Sequence, residues 1–397
     1  MADGSGGAAP SQFGLLTQIC AAHFASHFHI MTVPALLPLL PGVLGVGFME
    51  LGIALSVFNV VSAVAQTPMG YAVDRFGARR LLMAGLALGS ASFLVLAVFT
   101  SFEALVVVMG LAGIANCVYH PSDYTLLSRQ VTPHRMGRAF SMHTFAGYIG
   151  SALAPVVVVS LALSFGVQWA LLASSIVGGL ALLAVWTVRL DEPDTRCPAG
   201  TQVSVAEAGA QRLAPRVVLA LIVLFLFLSL STGSIERFSV SALVQGFGIE
   251  LQTANLALTA FLFASALGVL AGGFLADQTK SHGLVAAGAF SVAAALVTFV
   301  ILAQPQGALL VAALGATGFL TGTVAPSRDM LVRASAPAGA EGRVFGLVST
   351  GFNVGGVAGP LLFGYLLDND LADAVLWATV GFMVTTTIIV LVQERRR

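Results

Sequence analysis

The sequence predicts an all-α membrane protein of twelve transmembrane helices, arranged as two related six-helix halves. Three observations predict it: a composition too apolar for water, helix-length apolar runs separated by alternately basic and acidic connections, and an ordered internal repeat.

The chain has 397 residues, of which 57% are hydrophobic and only 9% charged. Soluble domains carry about 25% charged residues, so this chain cannot cover a water-facing surface of ordinary size. In lipid every backbone polar group must be satisfied within the chain, which leaves helices or a closed barrel. Barrel strands alternate in polarity, whereas residues 81–99 and 171–188 are apolar almost throughout, at helix length. The formal net charge is zero, which gives no electrostatic basis for a nucleic-acid partner. Cys20, Cys117 and Cys197 are odd in number and unpatterned, so neither a disulfide framework nor a metal spacing follows. The first fourteen residues contain no Lys or Arg and lack the basic start of a cleavable signal, so span 1 is expected to be retained.

About 20 apolar residues cross a bilayer core. In the first half, spans fall at 15–40, 48–71, 81–100, 104–128, 138–164 and 168–188. In the second they fall at 215–244, 252–276, 283–303, 307–334, 342–367 and 372–392. Arg75, Arg79 and Arg80 follow span 2; Arg129, Arg135 and Arg138 surround the end of span 4. Arg189, Arg196, Arg212 and Arg216 separate spans 6 and 7, and Lys280 follows span 8. Arg333 and Arg343 flank the connection after span 10, and Arg395–Arg397 end the chain. Connections after odd-numbered spans carry no Lys or Arg, only acids such as Glu103, Glu250, Asp368 and Asp370. Positive charge stays cytoplasmic, so the expected topology has both termini inside, in a bacterial inner membrane.

At an offset of 205, Gly113, Pro121 and Ser122 meet Gly318, Pro326 and Ser327. Gly137, Arg138 and Phe140 meet Gly342, Arg343 and Phe345; Gly150 and Pro155 meet Gly355 and Pro360. At an offset of 203, Gly70 and Asp74 meet Gly273 and Asp277. The expected organisation is a tail (1–14), a six-helix bundle (15–188), a linker (189–214), a second bundle (215–392) and a basic tail (393–397). Two parallel repeats around a midplane site describe a secondary transporter.

Gly70-Tyr-Ala-Val-Asp74-Arg75-Phe-Gly77-Ala-Arg79-Arg80 resembles the loop signature between spans 2 and 3 of the major facilitator superfamily, and Gly273-Phe-Leu-Ala-Asp277 is its weaker copy. The resemblance covers essentially the whole chain. It implies the major facilitator fold, rocker-switch alternating access, a cavity lined by spans 1, 4, 7 and 10, and a monomer. It also implies that Asp74 and its Arg neighbours stabilise the closed cytoplasmic side, the acid being held in a turn near helix N-termini. His23-Phe-Ala-Ser-His27 before Pro34-Ala-Leu-Leu-Pro38, with Tyr119-His120-Pro121, resembles the fosmidomycin-resistance type of transporter. The antiporter glycine signature is imperfect in span 5 (Gly147, Gly150, Ala154, Pro155) and better preserved in span 11 (Gly351, Gly355, Gly356, Gly359, Pro360, Gly364).

An ionisable residue within a span is costly, so each is a functional candidate. They are His23, His27 and His29 in span 1, His120 and Asp123 in span 4, and His143 in span 5. Span 7 adds Glu236 and Arg237, and span 10 Arg328 and Asp329. All but His143 lie on the cavity-lining set of spans. Histidine titrates near neutrality and suits proton coupling; the open alternative is a neutral histidine bonded to a neighbouring helix, which fits His29 and His143 better. No carboxylate or thiolate completes a metal set at suitable spacing, so no metal is expected. Arg328 is the repeat-mate of Asp123, which suggests an inter-half pair that breaks as the gate moves; the alternative is a local pair of Asp123 with Arg129 or Arg138. Glu236 and Arg237 point about 100° apart, so one is expected to face the cavity and the other elsewhere. Arg237 and Arg328 are the only cationic residues away from the basic margin and suit an anionic solute. Asn116 and Gln66 are candidate polar contacts.

Proton-coupled efflux of a small organic solute is the leading expectation, and uptake of an organic anion by symport the alternative. The partners expected are the solute, protons and lipid. No catalytic residue or cofactor is expected. A membrane enzyme would require a motif such as His-Glu-x-x-His, and a nucleotide-driven pump a Gly-x-x-x-x-Gly-Lys loop; the sequence contains neither.

Overall fold

The structure, a computed structural model, describes residues 12–131, 136–187, 215–279, 281–335 and 341–395. Among these the regular structure is helical throughout. The N-terminal bundle comprises α1 (Gln12–Leu36), α2 (Leu40–Leu44), α3 (Phe48–Phe76), α4 (Ala78–Val98), α5 (Phe102–Gln130), α6 (Met136–Phe165) and α7 (Val167–Thr187). The C-terminal bundle comprises α8 (Pro215–Phe247), α9 (Leu251–Gln278), α10 (His282–Ala303), α11 (Gly307–Ser335), α12 (Glu341–Asp368) and α13 (Ala372–Glu394). The five-residue α2 is an unpredicted detail. The first span stops at Leu36 rather than continuing to residue 40, because Pro38 and Pro41 cannot extend an α-helical ladder.

Among the described residues, eleven helices are long and apolar enough to cross a membrane. The exception is α1, whose Gln18, His23, His27 and His29 dilute an otherwise apolar stretch. It tolerates them because it is packed against α6 and α7, with Leu15, Ile19, Ala22, Ala25 and Phe28 buried. With α1 included, twelve membrane-length helices form two six-helix bundles.

The repeat in the sequence is a repeat of packing. In the first bundle α1 packs on α6 and α7, α3 on α5, and α4 on α5 and α7. In the second, α8 packs on α12 and α13, α9 on α11, and α10 on α11 and α13. The repeat-matched glycines mark where helices cross: Gly113 lies against the Phe58 carbonyl of α3, and Gly318 against the Phe261 carbonyl of α9. Gly150 likewise lies over the Phe24 carbonyl of α1, and Gly355 over Ser229 of α8. A Cβ at any of the four would overlap these atoms, so the backbones approach this closely only with glycine.

The bundles meet through α3 against α12 and α6 against α9, another symmetric pair. The contact is tied at the face opposite the chain termini, the distal face. There the Asp368 carboxylate accepts hydrogen bonds from the backbone N–H groups of Phe48 and Met49, both at 2.7 Å. Ser56 donates to the Val357 carbonyl (2.8 Å), and Asn255 donates to the Pro155 carbonyl (3.0 Å). At the terminal face Tyr71 and its repeat-mate Phe274 stand exposed, and so do Asp74 and Arg75. The molecule is closed distally.

Candidate functional site

Two groups of buried polar residues occupy corresponding places in the two bundles. In the first, Asp123 of α5 is fully buried, and its Oδ2 lies 2.9 Å from Nε2 of His143 on α6. The same oxygen lies 3.4 Å from Nδ1 of His23 on α1. The His23 ring stacks on His143 with centroids 3.7 Å apart, and touches His27 and His120 at 4.6 and 5.3 Å. His27 Nδ1 is 3.1 Å from the Ser151 hydroxyl of α6. Gly147 makes room for this assembly, since a Cβ there would lie 2.6 Å from His23 and 2.9 Å from His27.

In the second bundle Arg328 of α11 places its guanidinium 5.2 Å from the ring centres of both Phe225 on α8 and Phe352 on α12. Phe352 is the repeat-mate of Gly147, and Arg328 that of Asp123. One half therefore uses glycine to admit histidines around an acid. The other uses phenylalanines to hold a cation by its planar face.

A cavity of about 280 Å³ opens on this second group. It is lined by Glu236 and Arg237 of α8, Arg328 and Thr321 of α11, Phe352 of α12 and, from the opposite bundle, Tyr148 of α6. Glu236 and Arg237 are half-buried and have no hydrogen bond or ion pair among the described residues. Charged side chains on a cavity wall are available to a ligand.

Several expectations change. Asp123 and Arg328 do not pair here. Within its own bundle the Oδ2 of Asp123 meets His143 and His23, while the side chains of Arg129 and Arg138, the alternative partners, lie outside the described residues. His23, His27, His120 and Asp123 do not line the cavity; they form an interior cluster against α6. His143, read from the sequence as better fitting a histidine bonded to a neighbouring helix, does meet Asp123 of α5 and sits at the centre of the cluster because α6 packs along α1. Glu236 and Arg237 both face the cavity, which is wide enough to take side chains 100° apart. The carboxylate missing from a metal set by chain spacing is supplied by the fold, since ligand atoms of His23, Asp123 and His143 all lie within 4.8 Å of one another.

His29 turns away and bonds the Ser174 carbonyl of α7 at 2.9 Å, as expected of a structural histidine. Asn116 donates to Ser62 (2.8 Å), joining α5 to α3, and Gln66 is exposed. The side chains of Asp329 and Asp277 lie outside the described residues. The glycine-acid motif is not a loop. Gly70, Asp74 and Arg75 belong to α3, the connection is Gly77 alone (φ 93°), and Asp74 therefore lies in a C-terminal rather than an N-terminal turn. Arg79 starts α4 and donates to the Val185 carbonyl at 2.8 Å and to that of Trp186, capping the end of α7, while Arg80 is exposed. Gly273 is helical, with open space beside it. The reading of the sequence named His143 without grouping it with Asp123, and it missed Tyr148, Phe225 and Phe352. The only signal for Phe352 was its place opposite Gly147 in the repeat.

The family model described as Major Facilitator Superfamily matches residues 19–241 and 237–397. The chain is 28% identical over 274 residues to the Fosmidomycin resistance protein of Escherichia coli (strain K12), covering 68% of this chain and 66% of that one. It is 27% identical over 375 residues to "Probable anion transporter 6" of Oryza sativa subsp. japonica, covering 84% of each. The fold superposes on a crystal structure of a bacterial homologue of the human lysosomal transporter Spinster, in an inward-facing and occupied conformation, with TM-score 0.76, 14% identity and 98% of each chain covered.

Proposed function

The chain belongs to the major facilitator superfamily, and from that premise we propose that it moves a small organic anion across the membrane by alternating access, coupled to protons. One observation carries the reading: Glu236, Arg237 and Arg328 surround a single cavity that residues of both bundles complete, beside an inter-bundle contact tied at the distal face. Two guanidiniums on one cavity wall suit a carboxylate, phosphate or phosphonate, which each can bind through paired N–H donors. The relative named as an anion transporter supports this solute class.

Export in exchange for protons is the leading direction. Resistance to a compound follows from its removal from the cell, so the relative named for fosmidomycin resistance supports it. Both termini then lie in the cytoplasm of a plasma membrane, as the placement of Lys and Arg favours. The cavity is then reached from the cytoplasm. A second reading is symport of an anion, favoured by Glu236 lying next to Arg237 on the cavity wall. A proton on Glu236 would raise the local positive charge and so assist anion binding.

Everted and right-side-out vesicles containing the chain, given labelled fosmidomycin as probe under an imposed pH gradient, test both. Accumulation in everted vesicles that collapses an acid-inside gradient supports exchange, and accumulation driven by co-entering protons supports symport. If Arg237→Gln and Arg328→Gln bind and carry the probe as well as the unaltered chain does, the anion site is wrong.

A further inference from the structure

We propose that His23, Asp123 and His143 form a binding site for a divalent transition-metal ion of the zinc class, with His120 the nearest further ligand. This goes beyond the transport reading, since the cluster lies inside the first bundle and not on the anion cavity.

The site is already assembled. Three helices converge on it, α1 with His23, α5 with Asp123 and His120, and α6 with His143. Asp123 Oδ2 lies 2.9 Å from His143 Nε2 and 3.4 Å from His23 Nδ1. Zinc bound tetrahedrally at about 2.0–2.2 Å to nitrogen and oxygen ligands has ligand–ligand edges of about 3.3 Å. Two of the three separations bracket that value and all three lie within 4.8 Å, so movement of the two imidazole rings would seat the ion.

Buried atoms without partners also point to a ligand. His23 Nδ1, Asp123 Oδ1 and His120 Nδ1 are all buried with no hydrogen-bond partner. His23 is 4% exposed and Asp123 0%. Buried polar atoms are normally satisfied. A single proton would satisfy one pair among them, whereas a cation at the centre would engage imidazole and carboxylate lone pairs together. Two imidazoles and a carboxylate suit zinc, cobalt or nickel, and do not suit magnesium or calcium, which take all-oxygen shells. His27 and His120 are only half-buried and give the cluster an edge by which an ion can enter.

The test is titration of cobalt(II) into tag-free, full-length protein in detergent after stripping with a chelator. The expected result is one cobalt per chain, with the visible absorption of a tetrahedral nitrogen–oxygen site and displacement by zinc. Asp123→Asn and His143→Gln should each weaken binding at least tenfold. His29→Gln, which removes a histidine bound elsewhere on α1, should leave it unchanged. The titration of the unaltered chain requires no variant to fold. Absence of stoichiometric binding there overturns the proposal, and so does equal affinity in folded Asp123→Asn and His143→Gln proteins.

Discussion

The tie between Asp368 and the start of α3 should bias the molecule toward its distally closed state by a measurable amount. Asp368 ends α12 in one bundle, and its carboxylate receives the first two N–H groups of α3 in the other, each at 2.7 Å. Gly47 permits the approach, since a Cβ there would lie 2.8–2.9 Å from both carboxylate oxygens. A hydrogen bond to a charged group contributes about 1.5–3 kcal/mol, and an anion at a helix N-terminus about 0.3–1 kcal/mol. Asp368 is exposed, so solvent competes, and the low end of these ranges applies. Asp368→Asn keeps the shape and loses the charge, costing the closed state about 1–2 kcal/mol, or a factor of about 5–30 in population. Ser56→Cys reports it, because Ser56 is buried where α3 meets α12 and becomes reachable when they part. With Cys20, Cys117 and Cys197 replaced by alanine, the rate of modification by a membrane-impermeant maleimide should rise by that factor. Asp370→Asn, two residues on and without a hydrogen bond to α3, should change nothing. An unchanged or slower rate in Asp368→Asn would refute the reasoning.

Four further outcomes are expected. Arg328→Lys keeps the charge but loses the planar contact with Phe225 and Phe352, and should weaken anion binding by about 2–30-fold, since cation–π contacts are worth about 0.5–2 kcal/mol; equilibrium binding checks it. Gly147→Ala forces a methyl into His23 and His27 and should cost about 1–3 kcal/mol, read as a lower midpoint in thermal unfolding. Arg79→Gln uncaps α7 and should lower that midpoint by the equivalent of about 1 kcal/mol with no change in anion affinity. Glu236→Gln fixes the cavity in the charge state of the protonated acid, so under symport anion binding should lose its decline with rising pH, measured by titrating affinity against pH.

Most of the fold was legible because lipid leaves the chain few choices. Helix-length apolar runs and the placement of Arg and Lys located eleven helices to within a few residues, except that α3 runs five residues past the expected end at 71, through the motif to Phe76. That miss has a cause. Gly70 reads as a turn residue, yet the one position requiring positive φ is Gly77, and nothing local prevents helix up to it. The C-terminal site was readable because Glu236, Arg237 and Arg328 are conspicuous charges in apolar runs. The histidine cluster was half readable: its members stood out, but their grouping depends on α6 crossing α1 at Gly147 and Gly150, a long-range contact that spacing along the chain does not encode. Pseudo-symmetry rightly paired Asp123 with Arg328 in position. In this structure the two do not meet, because Asp123 lies among imidazoles of its own half and Arg328 against aromatic faces of the other.

Gly233→Cys tests alternating access at the cavity itself. Gly233 lines the cavity and has no atom within 4 Å of where a Cβ would stand, so a thiol fits without disturbing the wall. In sealed vesicles of each orientation, an impermeant thiol reagent should reach that cysteine from both membrane faces. Access from the distal face should rise with Asp368→Asn, and anionic solute should protect from either side. Modification from one face only, in every orientation and with Asp368 neutralised, would contradict a cavity that opens alternately to the two sides.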